Sequence, residues 1–281
     1  LTVSVTPANN IVGAFIHDVQ IADCTDSDLA VIKQAFVDHG VVFLRDQQLT
    51  PEQHIAFAQR WSEINVNRFF TPVATNPVIA EVRKEPHQTK NIGEAWHTDH
   101  SYDQVPAMGS MLYAREVPPV GGDTLFACQY AAYEALSPGM QQTLAGLRAL
   151  HSSRHVFGAD AAIGNDGPKY ENAELAMQDA IHPVVIRNPR SGRPALYVNS
   201  DFTVRFDGWS VAESRPLLEQ LYAHCGRAEF VYRFSWEVGS MAIWDNQAVM
   251  HLAVNDYHGY RRLMHRITLE GVPFEPFVAG T

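Results

Sequence analysis

The sequence predicts an α+β chain in which flanking helices surround a β-barrel or double-sheet jelly-roll core. Three observations predict it. Helix signals carrying their own caps are few and far apart, at residues 25–40, 50–61 and 137–146 and at Ser210. Between them lie many short apolar or alternating runs of strand length, set off by Pro and Gly. No repeat, low-complexity tract or interior linker divides the 281 residues, so one domain over residues 1–281 is expected.

The helix at 25–40 has Asp26 and Asp28 where the dipole favours acids, an apolar stripe of Leu29, Ile32, Phe36 and Val37, and Gly40 just past its end. Residues 41–44 then read as a buried strand. Thr50 is an N-cap with Pro51 in the first position and Gln53 closing a capping box, and this helix should run to about Trp61. Strands are expected at 108–114 and 123–126, on either side of Pro118-Pro119 and Gly121-Gly122. Ser137-Pro138 starts a helix that ends near Gly146. Residues 155–180 have weak periodicity and hold Gly158, Gly164, Asn165, Gly167 and Pro168, which predicts a lid over a substrate. Strands at 183–186 and 195–198 flank the turn Asn188-Pro189-Arg190-Ser191-Gly192. Ser210 and Glu213 form a capping box for a helix with Leu217, Leu218 and Leu221 on one side. Strands at 229–234, 240–245 and 262–269 complete the set.

Composition excludes several classes of function. With 46% apolar and 19% charged residues the chain is ordinary globular protein. Its 31 acids against 21 Lys plus Arg leave a net charge of −10, which argues against a nucleic-acid partner. A small anion held by one or two buried arginines remains compatible with that charge. No run approaches the ~18 apolar residues of a membrane span, so no membrane partner is expected, and no secretory leader is read at Leu1. Cys24, Cys128 and Cys225 are odd in number and far apart, as reduced thiols of a cytoplasmic protein would be. A homo-oligomer is compatible with all of this.

The chemistry concentrates at Trp96-His97-Thr98-Asp99. On an extended backbone, residues two apart share a face, so His97 and Asp99 can reach one metal together. His100, on the opposite face, is the weaker candidate. His251, following the strand at 240–245, is the best third ligand. Two His and one carboxylate make the facial triad of non-haem Fe(II) oxygenases, with positions left for a co-substrate and O2. Residues 262, 264 and 266 share a strand face, so Arg262 and Arg266 can both point inward, where a guanidinium matches a carboxylate. Arg261, on the other face, should pair with surface acids. A zinc-dependent hydrolase and a non-catalytic jelly-roll binding protein are the competing readings, the first without a motif for its general base.

Trp96-His97-Thr98-Asp99, Gly121-Gly122-Asp123-Thr124, Ala131-Ala132-Tyr133-Glu134-Ala135-Leu136, Trp244-Asp245-Asn246, and His251 with Arg262 and Arg266 together resemble the taurine dioxygenase group of Fe(II)/2-oxoglutarate-dependent oxygenases. The resemblance runs over residues 12–273 and implies a double-stranded β-helix. It implies His97, Asp99 and His251 as iron ligands, Thr124 and Arg262 on the distal carboxylate of 2-oxoglutarate, and Arg266 on an anionic group of the substrate. It further implies hydroxylation coupled to conversion of 2-oxoglutarate and O2 to succinate and CO2. A heteroatom on the hydroxylated carbon then leads to C–S, C–O or C–N cleavage. Asn67 and Gly93 stand where taurine-specific members have a His and an Asn, so the implied substrate is a larger, less polar organic acid than taurine. Residues 151–158, 191–193 and 212–218 look most like the aryloxyalkanoate (phenoxypropionate) dioxygenases, with alkyl sulfates and sulfonates as the neighbouring class. Phe69, Phe70 and Phe157 are expected to line a pocket for an apolar tail.

Overall fold

The computed structural model describes residues 2–158, 161 and 170–274. Local signals set the helices. Thr25 Oγ1 accepts from the Asp28 amide at 3.2 Å while the Asp28 carboxylate accepts from the Thr25 amide at 3.0 Å, and the helix Asp26–His39 follows. Gly40 at φ 74° ends it by a turn that other residues adopt at a cost. Thr50 and Gln53 cap Pro51–Gln59, and Ser210 and Glu213 cap Val211–Cys225 in the same way. The second helix stops short of the expected Trp61 because Arg60 and Trp61 donate to Phe57 and Ala58, three residues back, tightening the last turn. Ser137 caps Pro138–Ala145.

The strands form one sheet of nine and several small ones. In spatial order the main path runs Ser4–Pro7, Ala14–His17, Val41–Leu44, Met241–Asp245, Gly109–Glu116, Arg262–Leu269, Asn76–Lys84 and Pro72–Val73, with Ile64–Asn65 also on Arg262–Leu269. All these pairs are antiparallel except Ala14–His17 with Val41–Leu44. A second sheet orders Val231–Phe234, Thr124–Cys128 and Val249–Ala253. A third contains Asp179–Pro183, Arg148–Ser152 and Thr203–Phe206, and Val185–Arg187 forms a hairpin with Pro194–Leu196.

Strand alternation divides the core in two. Val42, Leu44, Met111, Ile243 and Ile267 pack toward the helices Asp26–His39 and Pro51–Gln59, with Leu29, Phe36 and Phe57. Val41, Phe43, Leu112, Trp244 and Met264 pack on the other face, against Phe126, Val249 and Phe234 of the second sheet. Because Met264 faces the space between the sheets, so do Arg262 and Arg266, two residues away on either side. Covering both faces is what gives 41–44 and 241–244 their unbroken apolar runs.

Several expectations change. Residues 228–230 form a 3-10 turn, so the strand expected at 229–234 begins at Val231. Asn76–Lys84 is a strand that was not among those expected, Pro77 and the charges at 81, 83 and 84 interrupting its pattern; it lies next to last on the main path, where Arg83 reaches solvent. Val249–Ala253, which carries His251, is a strand rather than the segment following one. The lid expected at 155–180 lies in part outside the described residues; within it Arg154–Phe157 is a single helical turn and Ala173–Leu175 a 3-10 turn. Cys24, Cys128 and Cys225 are free and buried. No helix among the described residues is long and apolar enough to cross a membrane.

Candidate active site

His97 and His251 are joined by their backbones. The His97 amide donates to the His251 carbonyl at 3.1 Å and the His251 amide returns a bond at 3.0 Å, an isolated antiparallel bridge that sets the rings 4.1 Å apart. The turn after His97 brings Asp99 beneath both, with Asp99 Oδ1 3.8 Å from His97 Nε2 and Asp99 Oδ2 3.9 Å from His251 Nε2. One donor atom from each of the three lies within 4.8 Å of the other two. The structure therefore brings together the three residues expected to meet at a metal. His100 turns away at φ 57°; its Nδ1 faces Asp103 Oδ2 at 3.0 Å and its Nε2 the Asn67 amide nitrogen at 3.2 Å.

The surroundings orient the donors for a divalent cation. His97 Nδ1 lies 2.9 Å from the Ala95 carbonyl, which can only accept, so Nδ1 carries a proton and Nε2 is the nitrogen turned toward Asp99. Burial, reinforced by His97, pushes His251 well below the usual histidine range and keeps it neutral. Burial works to raise the Asp99 carboxyl, but Arg266, then His251 and His97, hold it well below the usual carboxylate range. Two imidazoles and an ionised carboxylate are a fitting donor set for Fe(II).

The Asp99 carboxylate is held at both oxygens. Ser110 Oγ donates to Oδ2 at 2.8 Å and Arg266 Nη1 to Oδ1 at 3.0 Å. Ser110 was not expected; its only sequence signal is a hydroxyl in an apolar strand. Arg266 was expected to meet an anionic group of the substrate. Within the chain it meets Asp99 instead, but Arg266 Nε remains unpartnered among the described residues and its guanidinium lies over Phe70 at 4.4 Å. Arg262 fits the expectation more closely. It is 3% exposed, its Nε and Nη2 have no hydrogen-bond partner among the described residues, and burial lowers its pKa. Thr124 lines the same cavity, on the strand next to that of His251. Buried guanidinium donors without partners, beside a hydroxyl, are what an organic carboxylate would satisfy. Arg261 pairs with Glu85 and Glu116, as expected of a residue on the outer face.

Aromatic side chains wall the rest of the cavity: Phe70, Tyr102, Phe157, Tyr170 and Phe202, with Trp244 under the His251 ring. Phe69 lies behind, stacked on Phe157 at 4.4 Å, and does not line the cavity. Asn67, expected against the substrate, does not line it either. Its Oδ1 accepts from the Phe69 and Phe70 amides at 2.8 and 3.1 Å, so the side chain shapes the turn that presents Phe70. Gly93 does line the cavity, but the room it makes is for His97. At φ 74°, a Cβ there would lie 2.8 Å from His97 Cε1. Gly93→Ala is thus expected to displace the imidazole and weaken metal binding by about tenfold or more, as loss of a ligand's supporting contact does. Equilibrium dialysis of the folded variant against Mn(II) checks this, and wild-type affinity would refute it.

The family described as "Taurine catabolism dioxygenase TauD, TfdA family" matches residues 4–268. The chain is 33% identical to an alpha-ketoglutarate-dependent sulfate ester dioxygenase of Pseudomonas putida, over 96% of this chain and 90% of that one. It is 32% identical to an alpha-ketoglutarate-dependent 2,4-dichlorophenoxyacetate dioxygenase of Cupriavidus pinatubonensis, over 95% and 98%. The crystal structure of AAD-2 in complex with Mn(II) and N-oxalylglycine superposes with a TM-score of 0.81 at 26% identity, covering 99% of this chain and 100% of that one.

Proposed function

The chain belongs to the TauD, TfdA family, and from that premise we propose roles for its site residues and a class of substrate. It is an Fe(II)/2-oxoglutarate-dependent dioxygenase. Residues 1–281 form one such domain, with the two facing sheets as its double-stranded β-helix. His97, Asp99 and His251 hold the metal. Bound Fe(II), with 2-oxoglutarate and O2, supplies chemistry that couples decarboxylation of the oxo acid to hydroxylation of a substrate C–H bond. Arg262 grips the distal carboxylate of 2-oxoglutarate with its planar fork, and the Thr124 hydroxyl donates to the same group. In a zinc hydrolase neither residue would have a task.

The substrate is an organic anion with an apolar body, in the class of aryloxyalkanoates and alkyl sulfates. The observation that carries this is Arg266 lying over Phe70, within reach of Asp99, in a cavity walled by aromatic rings. Arg266 takes the anionic group, and Phe70, Phe157 and Phe202 enclose the tail and exclude water. Taurine's short chain would leave those rings unfilled, and Asn67 is committed to its own turn rather than to a substrate group. The net charge of −10 keeps the partner a small molecule rather than nucleic acid or membrane, and the three buried thiols fit a cytoplasmic enzyme that can form homo-oligomers.

The test is O2 uptake and succinate release, dependent on Fe(II) and 2-oxoglutarate, with taurine, a phenoxypropionate and a medium-chain alkyl sulfate. One of the two larger acids is expected to exceed taurine by about tenfold or more in kcat/KM, and Arg266→Ala to remove most of that advantage. Efficient taurine turnover, or an Arg266→Ala enzyme with undiminished activity, would overturn the substrate assignment.

A further inference from the structure

We propose that Trp236 is a positioning residue for 2-oxoglutarate: its indole N–H orients the Thr124 hydroxyl as a donor toward the co-substrate's distal carboxylate. The inference rests on the assignment of Arg262 and Thr124 to that carboxylate. Trp236 Nε1 lies 2.9 Å from Thr124 Oγ1. An indole N–H can only donate, so Thr124 Oγ1 accepts there. A threonine hydroxyl has a single proton, and the bond from Trp236 directs it away from the indole. Thr124 Oγ1 is on a cavity-lining residue that also faces Arg262 and His251 across the same space. The hydroxyl is thereby left with its proton to offer to an acceptor in the cavity, which a carboxylate oxygen provides.

The surroundings hold Trp236 in place for this task. Phe234 is the direct cross-strand partner of Thr124, and the chain folds back two residues later so that Trp236 meets Phe234 edge-to-face at 4.8 Å. Phe234 is itself stacked on Phe43 at 4.2 Å, which ties the indole to the packed space between the sheets. The Arg262 guanidinium lies 5.7 Å from the Trp236 ring centroid. One side chain thus touches both groups of the carboxylate cradle, the hydroxyl through its N–H and the guanidinium through its ring. Among the described residues no other hydrogen-bond partner of Thr124 Oγ1 sets the direction of its proton.

A double-mutant cycle tests this with N-oxalylglycine, titrated calorimetrically into Mn(II)-loaded protein without O2. Trp236→Phe keeps an aromatic ring and removes the donor; benzothienylalanine at 236 replaces the N–H by sulfur at nearly constant volume, should Phe perturb folding. Thr124→Val removes the hydroxyl. Thr124→Val is expected to weaken binding by about tenfold in the parent protein and less than about threefold when position 236 has no N–H, with Mn(II) affinity unchanged throughout. The same tenfold loss in both backgrounds would show that Trp236 does not orient the hydroxyl and would overturn the inference alone. Unaltered binding in Thr124→Val itself would overturn the co-substrate assignment and the inference with it.

Discussion

His251→Ala is expected to lower affinity for Fe(II) by more than about 100-fold and to abolish turnover, while the protein stays folded. Loss of a contact that merely supports a ligand costs about 10–100-fold, and loss of the ligand itself costs more. Removing the imbalance of charge is not the reason, since His251 is neutral in its buried site. What is lost is one of three donor atoms held within 4.8 Å of one another. The backbone bridge to His97 uses only amide and carbonyl groups, so it survives the substitution and keeps His97 and Asp99 in place. Asp99 also keeps Ser110 and Arg266, so no unpaired buried charge is created. His100→Ala is the control. Both of its nitrogens are engaged by Asp103 and Asn67, and metal affinity should remain. Anaerobic equilibrium dialysis with Fe(II), repeated with Mn(II), reads the result independently of activity. Near-normal metal affinity in His251→Ala would remove the triad as the iron site.

Arg262→Met is expected to raise the dissociation constant for N-oxalylglycine by about two decades, or ~2.8 kcal/mol at ~1.4 kcal/mol per decade. That is the range for a charge-assisted hydrogen-bonded pair. Arg262→Lys keeps the charge but not the fork, and should lose about one decade. The same substitution carries an opposite effect on the protein without co-substrate. Arg262 is buried, with Nε and Nη2 unpartnered among the described residues, so its desolvation opposes folding until a carboxylate arrives. The Arg262→Met protein should therefore unfold at a temperature no lower than the parent, yet gain much less thermal stability from N-oxalylglycine. Calorimetric titration and thermal unfolding with and without the ligand measure both effects. An unchanged titration would assign the carboxylate to another residue; a large drop in Tm without ligand would show that Arg262 is a structural residue.

What the sequence by itself determined is what depends on near neighbours. The capping boxes at Thr50 and Ser210 and the left-handed turn at Gly40 are set by residues within a turn of one another and stand where expected, and the box at Thr25, which was not expected, is equally local. Alternation along 262–269 was enough to put Arg262 and Arg266 on one face, because a strand repeats every two residues whatever it pairs with. The two-residue spacing of His97 and Asp99 and the place of His251 after the strand at 240–245 were enough to nominate all three ligands, and the resemblance in the ordered motifs pointed to the same set, although it is a turn at Asp99 that brings the carboxylate in. Only the tertiary structure decided which partners those side chains meet. Arg266 reaches Asp99 across 167 residues, and Trp236 reaches Thr124 across 112, and no local rule relates such positions. Asn76–Lys84 is a strand because Arg262–Leu269 offers it a ladder, against its own Pro and charges. Asn67 and Gly93 have the clearest lesson. Composition at those positions said what substrate group they lack, whereas packing gave them other work, one shaping the turn under Phe70 and the other clearing space for the His97 ring. Periodicity and capping are short-range and survive in the sequence; hydrogen-bond partners, close contacts and the direction of a hydroxyl proton exist only once distant segments share a volume.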